Sequence, residues 1–214
     1  MSTAGEHLQE QFDSSPQQLQ ASKLGMWAFL ATEVVLFGAL FCAYSFYRFQ
    51  YPQGFALASK HTDVLLGTIE TGVLLTSSLT MALAIRSMRL AQPKVAMRLL
   101  VVTALLGVAF LGIHASEYLH EFHEGLVPGA TFDSTLRGVA GSELFFTMYY
   151  VMTGLHGVHV TIGIVVLIAL AVAAARNRFS PGYHTPLELG GLYWHLVDIV
   201  WIFLFPLFYL VSRT

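Results

Sequence analysis

The sequence contains five apolar stretches, each long enough to cross the hydrocarbon core of a lipid bilayer. That core is about 30 Å thick, a distance that a helix crosses in roughly 20 residues. The stretches are continuously apolar rather than alternating, and isolated strands leave backbone groups unpaired in lipid. The predicted spans are residues 24–48, 64–88, 95–119, 142–174 and 191–212. The expected fold class is therefore all-α, a polytopic membrane bundle of five transmembrane helices in one domain, residues 23–214.

The composition agrees with a membrane protein, since 55% of the 214 residues are hydrophobic and only 11% are charged. The net charge is −2 and the basic residues are scattered, which argues against a nucleic-acid partner. The sequence has one cysteine, Cys42, which excludes intrachain disulfides, paired-cysteine metal sites and C-x-x-C-H heme attachment. Any metal would need histidine and carboxylate ligands, and no metal site is predicted.

The polar, glutamine-rich residues 1–22 are expected to form a retained, partly disordered N-terminal tail. Because basic residues favour the cytoplasm, the N-terminus is predicted to be cytoplasmic and the C-terminus periplasmic. This orientation places seven basic residues inside and four outside. Those inside are Lys23, Arg86, Arg89, Lys94, Arg98, Arg176 and Arg178, and those outside are Arg48, Lys60, Arg137 and Arg213.

Glu33 lies near the middle of the first predicted span, within WAFLATEVVLFGALFCAY. A charged side chain at the bilayer centre costs roughly 2.5 to 3.5 kcal/mol, so an acid at this depth is a candidate functional residue. No cationic residue neighbours it in sequence, which favours the neutral acid and makes proton exchange one hypothesis. The alternative is a neutral glutamic acid that hydrogen-bonds to a neighbouring helix and holds the bundle together.

The last span contains His195 and Asp198, which are three residues apart and so share one helix face. A histidine and an aspartate at this spacing can hydrogen-bond or form an ion pair, and the predicted orientation places them in the cytoplasmic third of the membrane. Contact between helices is the favoured role for this pair.

The fourth span contains His156 and His159, again three residues apart, with Gly163 one turn beyond. Small residues let neighbouring helices approach closely, so a packing role is favoured. The alternative is heme or metal ligation completed by His114 and His195. These histidines lie at different apparent depths, which makes their convergence difficult.

Glu70 and Glu117 fall near the outer ends of the second and third spans, where burial of an acid costs less. Contact with helices, lipid or another subunit is predicted for both. Hydroxyl residues within 76–80 are expected to serve packing in the second span. In HEFHEG, His120 and His123 do not have the H-E-x-x-H zinc spacing, so a solvated helix end is expected.

Two ordered motifs are similar to the third subunit of heme-copper respiratory oxidases. The family's last helix has the pattern Tyr-Trp-His-x-Val-Asp-x-Val-Trp, and its preceding helix has Thr-Gly-x-His-Gly-x-His-Val. The matching residues here are Tyr193, Trp194, His195, Val197, Asp198, Val200 and Trp201, and Thr153, Gly154, His156, Gly157, His159 and Val160. The resemblance covers roughly residues 24–212.

The third span's GIHASEY resembles the family's Gln-Ala-x-Glu-Tyr segment, with His114 where glutamine is more usual. TEVVLFGALFCAY resembles its Ser-Glu-Val-x-x-Phe segment, and it aligns Glu33 with a buried carboxylate that reacts with carbodiimide in that family. The chain matches the short, five-helix bacterial form rather than the seven-helix mitochondrial form.

The resemblance implies a non-catalytic subunit that packs on catalytic subunit I, together with subunit II and a small subunit IV. Heme and copper are expected in those partners, and this chain is expected to bind no cofactor beyond structural phospholipid. The family's third subunit stabilises the catalytic subunit and supports proton uptake while oxygen is reduced to water. The expected location is the bacterial inner (plasma) membrane.

Three classes of function are compatible with the sequence. A cytochrome c oxidase subunit is preferred, with a quinol oxidase subunit or a nitric oxide reductase accessory subunit as the alternative. A stand-alone proton-coupled carrier using Glu33 and Asp198 belongs to a different class, as does a membrane heme or metal enzyme. The carrier is disfavoured because no span is broken by paired glycine and proline.

Overall fold

A computed structural model describes residues 11–129, 132, 134–180 and 183–210. Within these residues, five helices are long and apolar enough to cross a membrane, which confirms the predicted all-α bundle. In chain order the helices are α1 (Ser15–Gln50), α2 (Pro52–Ala58), α3 (Val64–Arg89), α4 (Pro93–His123), α5 (Ser134–Arg137), α6 (Ser142–Ala175) and α7 (Thr185–Tyr209). A 3₁₀ turn, Ser59–His61, joins α2 to the loop before α3.

Helices α1 and α7 begin earlier than the sequence analysis expected. In α1 the Ser14 hydroxyl accepts the Gln17 backbone N–H at 3.4 Å, and Pro16 lies in the first turn. In α7 the first turn contains Pro186 and Glu188, residue types that favour a helix N-terminus. Part of the expected polar tail is thus helical, while residues 1–10 lie outside the described part of the chain.

Helices α3 and α4 form an antiparallel hairpin closed by a short turn at Ala91. Ala91 has a φ of 58°, in the left-handed region, and its N–H donates to the Met88 carbonyl at 3.1 Å. The next N–H, of Gln92, donates to the Ser87 carbonyl at 2.9 Å, so the helix ends in a Schellman motif. In such a hairpin, residues equally distant along the chain from the turn meet, as the Thr80 and Thr103 hydroxyls do at 2.8 Å.

Helix α7 is the central helix, with the largest buried share of the five long helices, and its Trp194 contacts three other helices. The Trp194 indole N–H donates to the Ser77 hydroxyl of α3 at 3.1 Å, and the side chain is fully buried. The indole ring also lies against two glycines of other helices. A β-carbon added at Gly107 of α4 or Gly163 of α6 would lie 2.7 Å from the nearest Trp194 atom. Three helices therefore pack around one indole ring.

Helix α1 lies at the periphery of the bundle, and its outward side chains are apolar. Val35 is 71% exposed and Phe49 is 88% exposed, and exposed leucine, valine and isoleucine side chains also cover the outer faces of the other spans. A surface of this kind is suited to lipid or to another membrane subunit. The fold thus places polar groups between helices and apolar groups on the outside.

Candidate functional site

The first polar site is a pair formed by Glu33 of α1 and His159 of α6. The His159 Nε2 atom lies 2.9 Å from Glu33 Oε2, and each side chain is 14% exposed. The His159 Nδ1 atom lies 2.8 Å from the Leu155 carbonyl, which can only accept, so Nδ1–H donates. Nε2 therefore either accepts from a protonated Glu33 or donates to its carboxylate.

The packing of α6 against its neighbours fixes the orientation of His159. Phe37 of α1 contacts the His159 ring edge to face, with centroids 5.3 Å apart, and Tyr193 of α7 donates to the His159 carbonyl at 3.0 Å. This partner of Glu33 lies 126 residues away along the chain, so no local sequence pattern could indicate it. The structure gives the acid an imidazole with which it can share a proton.

The second polar site involves His195 and Asp198, which share one face of α7 but do not hydrogen-bond each other among the described residues. His195 Nδ1 instead hydrogen-bonds the Ser78 hydroxyl of α3 at 2.7 Å. The buried Asp198 carboxyl also lies near Ser78, so both α7 residues face the same residue of α3. Because α7 begins at Thr185, both residues lie near the middle of the helix rather than in its first third.

The third polar site is a buried cluster formed by Glu70 of α3 and by His114 and Glu117 of α4. The His114 Nδ1 atom lies 3.4 Å from Glu70 Oε1 and 3.7 Å from Glu117 Oε2. One potential ligand atom from each residue lies within 4.8 Å of the other two. Tyr209 of α7 donates its hydroxyl to Glu117 Oε2 at 2.6 Å. We call Glu70, His114 and Glu117 the carboxylate cluster.

The members of the carboxylate cluster were each singled out from the sequence, but their contact with one another was not predicted. The register of the α3–α4 hairpin supplies the missing signal. Glu70 and His114 are nearly equidistant along the chain from the turn at Ala91, so they face each other as Thr80 and Thr103 do. Glu117 joins them because it follows His114 by three residues and thus lies on the same helix face.

His156 lies beside aromatic rings rather than beside His159. Its ring stacks on Trp201 with centroids 5.3 Å apart and meets the Phe110 ring edge to face at 5.6 Å. His114 also contacts both of these aromatic rings. The rings of Phe110 and Trp201 thus pack against both imidazoles, while His159 and His195 face other partners.

Two concave features lie near these residues. A polar cleft of about 720 Å³ opens at the end of the bundle where α3 begins and α4 ends, and Glu117 and Glu121 line its inner part. A separate apolar groove of about 330 Å³ runs between α4 and α6, where Met97, Leu105 and Ile168 are among its lining residues. The polar cleft reaches the carboxylate cluster through Glu117.

Comparisons with known proteins agree over nearly the whole chain. Residues 11–213 match the family described as cytochrome c oxidase subunit III. A protein named quinol oxidase subunit 3 from Bacillus spizizenii is 32% identical over 212 residues, covering 97% of this chain and 98% of that protein. The Bacillus subtilis protein of the same name is 31% identical with the same coverage. A probable quinol oxidase subunit 3 of Staphylococcus aureus is 32% identical, covering 94% of each chain.

Proposed function

The chain belongs to the cytochrome c oxidase subunit III family, and we propose that it serves as the third subunit of an oxidase that takes electrons from quinol. It is a subunit of a heme-copper oxidase and a multi-pass bacterial membrane protein. The observation that carries the quinol assignment is end-to-end similarity to relatives that are named quinol oxidase subunit 3. The preference for cytochrome c from sequence alone was not confirmed, and its stated alternative fits better.

In this proposal the chain has no redox role of its own, and the catalytic subunit I holds the heme and copper, with subunit II and a small subunit IV as further partners. The distribution of the histidines supports this division of labour. His159 pairs with Glu33, and His195 pairs with Ser78. His114 and His156 lie against aromatic rings. The chain's own contribution is then to stabilise the catalytic subunit while oxygen is reduced to water.

The Glu33–His159 pair is proposed to exchange protons beside the catalytic subunit. An acid and an imidazole 2.9 Å apart can share one proton, and partial exposure leaves the pair accessible from the outside of the bundle. The carrier hypothesis is less well supported. Each of the five long helices is continuous over the residues described, whereas carriers commonly bind substrate at broken helices.

Purification of the native complex through a tag on this chain tests the proposal. The expected preparation contains heme absorbance and larger subunits, and it consumes oxygen faster with a reduced quinol than with reduced cytochrome c. A parallel preparation from untagged membranes controls for non-specific recovery. Faster consumption with cytochrome c would contradict the quinol assignment, and a colourless chain that copurifies with no partner would contradict the subunit role.

A further inference from the structure

We propose that the carboxylate cluster binds a divalent transition-metal cation, for which Zn²⁺ is the ion to test. The site goes beyond the proposed oxidase function and does not depend on the electron donor. It uses two helices of one hairpin, α3 and α4, so all three ligands come from this chain alone.

The distances from His114 to the two carboxylates are close to the edge of a metal coordination shell, and all three potential ligand atoms lie within 4.8 Å of one another. Tetrahedral Zn²⁺ with bonds of 2.0 to 2.1 Å has ligand atoms about 3.3 to 3.4 Å apart. The His114 Nδ1 atom lies 3.4 Å from the Glu70 oxygen and 3.7 Å from the Glu117 oxygen. Modest contraction of the Glu117 side chain would complete three of the four positions. Water would take the fourth, as is usual in open zinc sites.

Five of the six side-chain polar atoms of the cluster have no hydrogen-bond partner among the described residues, and the sixth, Glu117 Oε2, accepts from Tyr209. Glu70, His114 and Glu117 are 0%, 5% and 2% exposed. Within the described residues, both oxygens of Glu70, both ring nitrogens of His114 and the second oxygen of Glu117 have no hydrogen-bond partner. Buried polar groups normally have partners because desolvation is otherwise uncompensated. A divalent cation would be a partner for all three residues, and its charge would neutralise the two carboxylates.

The donor types indicate the class of metal. One imidazole with two carboxylates suits borderline cations such as Zn²⁺, whereas Mg²⁺ and Ca²⁺ prefer oxygen ligands alone. Tyr209 holds Glu117 from outside the ligand set, because its hydroxyl donates to the same Glu117 oxygen that lies nearest His114. Such outer hydrogen bonds orient carboxylate ligands in known metal sites.

The polar cleft gives a cation a route to the cluster from the aqueous end of the bundle. Glu117 belongs to both, and Asp63, Glu121 and Glu124 line the cleft beside it. Lys60 also lines the cleft, but the four acidic residues outnumber it. An excess of acidic groups in a cleft raises the local concentration of cations.

Zinc counting on the purified oxidase tests the proposal. The complex is stripped with a chelator, incubated with a slight excess of ZnCl₂ and desalted, and zinc is then measured per heme. The wild type is expected to retain one zinc ion more than either Glu70→Gln or His114→Gln. Glu33→Gln is the matched control, because Glu33 also lies beside a histidine but, within the part of the chain that the structure describes, belongs to no three-residue cluster. It should retain as much zinc as the wild type.

X-ray absorption at the zinc edge keeps the test decisive if a variant does not assemble. The wild-type complex should show a single imidazole with oxygen ligands at about 2.0 to 2.1 Å. Sulfur scattering, several imidazoles or no bound zinc would overturn the proposal. Equal zinc content in the wild type and Glu70→Gln would also overturn it, since the metal would then be adventitious only.

Discussion

Replacing Gly163 by alanine tests how tightly the Trp194 indole is enclosed. The new β-carbon would lie 2.7 Å from two atoms of the indole ring, a distance too short for carbon atoms. The ring cannot retreat easily, because Gly107 of α4 lies on it and its N–H is bonded to Ser77 of α3. We therefore expect α6 and α7 to separate slightly or the indole to leave its preferred position.

The magnitude follows from two opposing effects. Adding a methyl group to a well-packed core costs about 1 to 3 kcal/mol. Alanine is better than glycine inside a helix by about 1 kcal/mol. Gly112→Ala in α4 is the control, since a β-carbon there meets no atom within 4 Å. The helix-propensity effect is common to both variants, so Gly163→Ala should be less stable than Gly112→Ala by about 1 to 3 kcal/mol.

The assay is unfolding of the purified chain in mixed micelles titrated with sodium dodecyl sulfate, followed by far-UV circular dichroism. The same comparison is repeated in a Trp194→Phe background, because this substitution removes the part of the indole that the new methyl group approaches. In the Trp194→Phe background, Gly163→Ala should cost less by at least about 0.5 kcal/mol, the usual coupling between contacting residues. Equal stability of Gly163→Ala and Gly112→Ala, together with no coupling to Trp194, would refute the packing argument.

Three further variants test other features. Ala91→Gly should stabilise the chain by about 1 kcal/mol in the same titration, because glycine accepts the left-handed backbone there without strain. His195→Ala should cost about 0.5 to 1.5 kcal/mol, since the half-buried Ser78 hydroxyl loses its hydrogen bond to His195; unchanged stability would contradict this. Glu33→Gln should leave an assembled complex with nearly normal initial oxygen consumption, and outright loss of turnover would contradict an accessory role.

The number of membrane-spanning helices could be predicted from sequence, because it depends on the length of the apolar stretches alone. The five spans found among the described residues match the five predicted. The residues at which the helices begin were harder to predict. Hydropathy ignores residues such as Ser14 and Pro186, which begin α1 and α7 by capping and by a preset backbone angle. Because α7 begins at Thr185, His195 and Asp198 lie near the middle of the helix.

The partners of the polar residues were the least predictable part. Spacing of three residues places His195 and Asp198 on one face, but it does not show whether another helix inserts a side chain there, as Ser78 does. The pairing of Glu33 with His159 joins helices distant in sequence and has no local signal. Glu70 and His114 differ, because the short α3–α4 turn fixes their register. A search for equidistant polar residues across predicted hairpins would have found them.

The motif that most clearly marks the last helix serves mainly to dock α7 on α3. Three of its residues bond hydroxyl groups of α3, and all three pairs keep one antiparallel register. The pairs are Trp201 with Thr71 at 3.2 Å, Trp194 with Ser77 at 3.1 Å, and His195 with Ser78 at 2.7 Å. Sliding α7 by one helical turn would break all three bonds together, and lipid offers no replacement donors or acceptors. These three hydrogen bonds fix the position of α7 along α3. That role is sufficient to explain why Trp194, His195 and Trp201 occur in a span that is otherwise apolar.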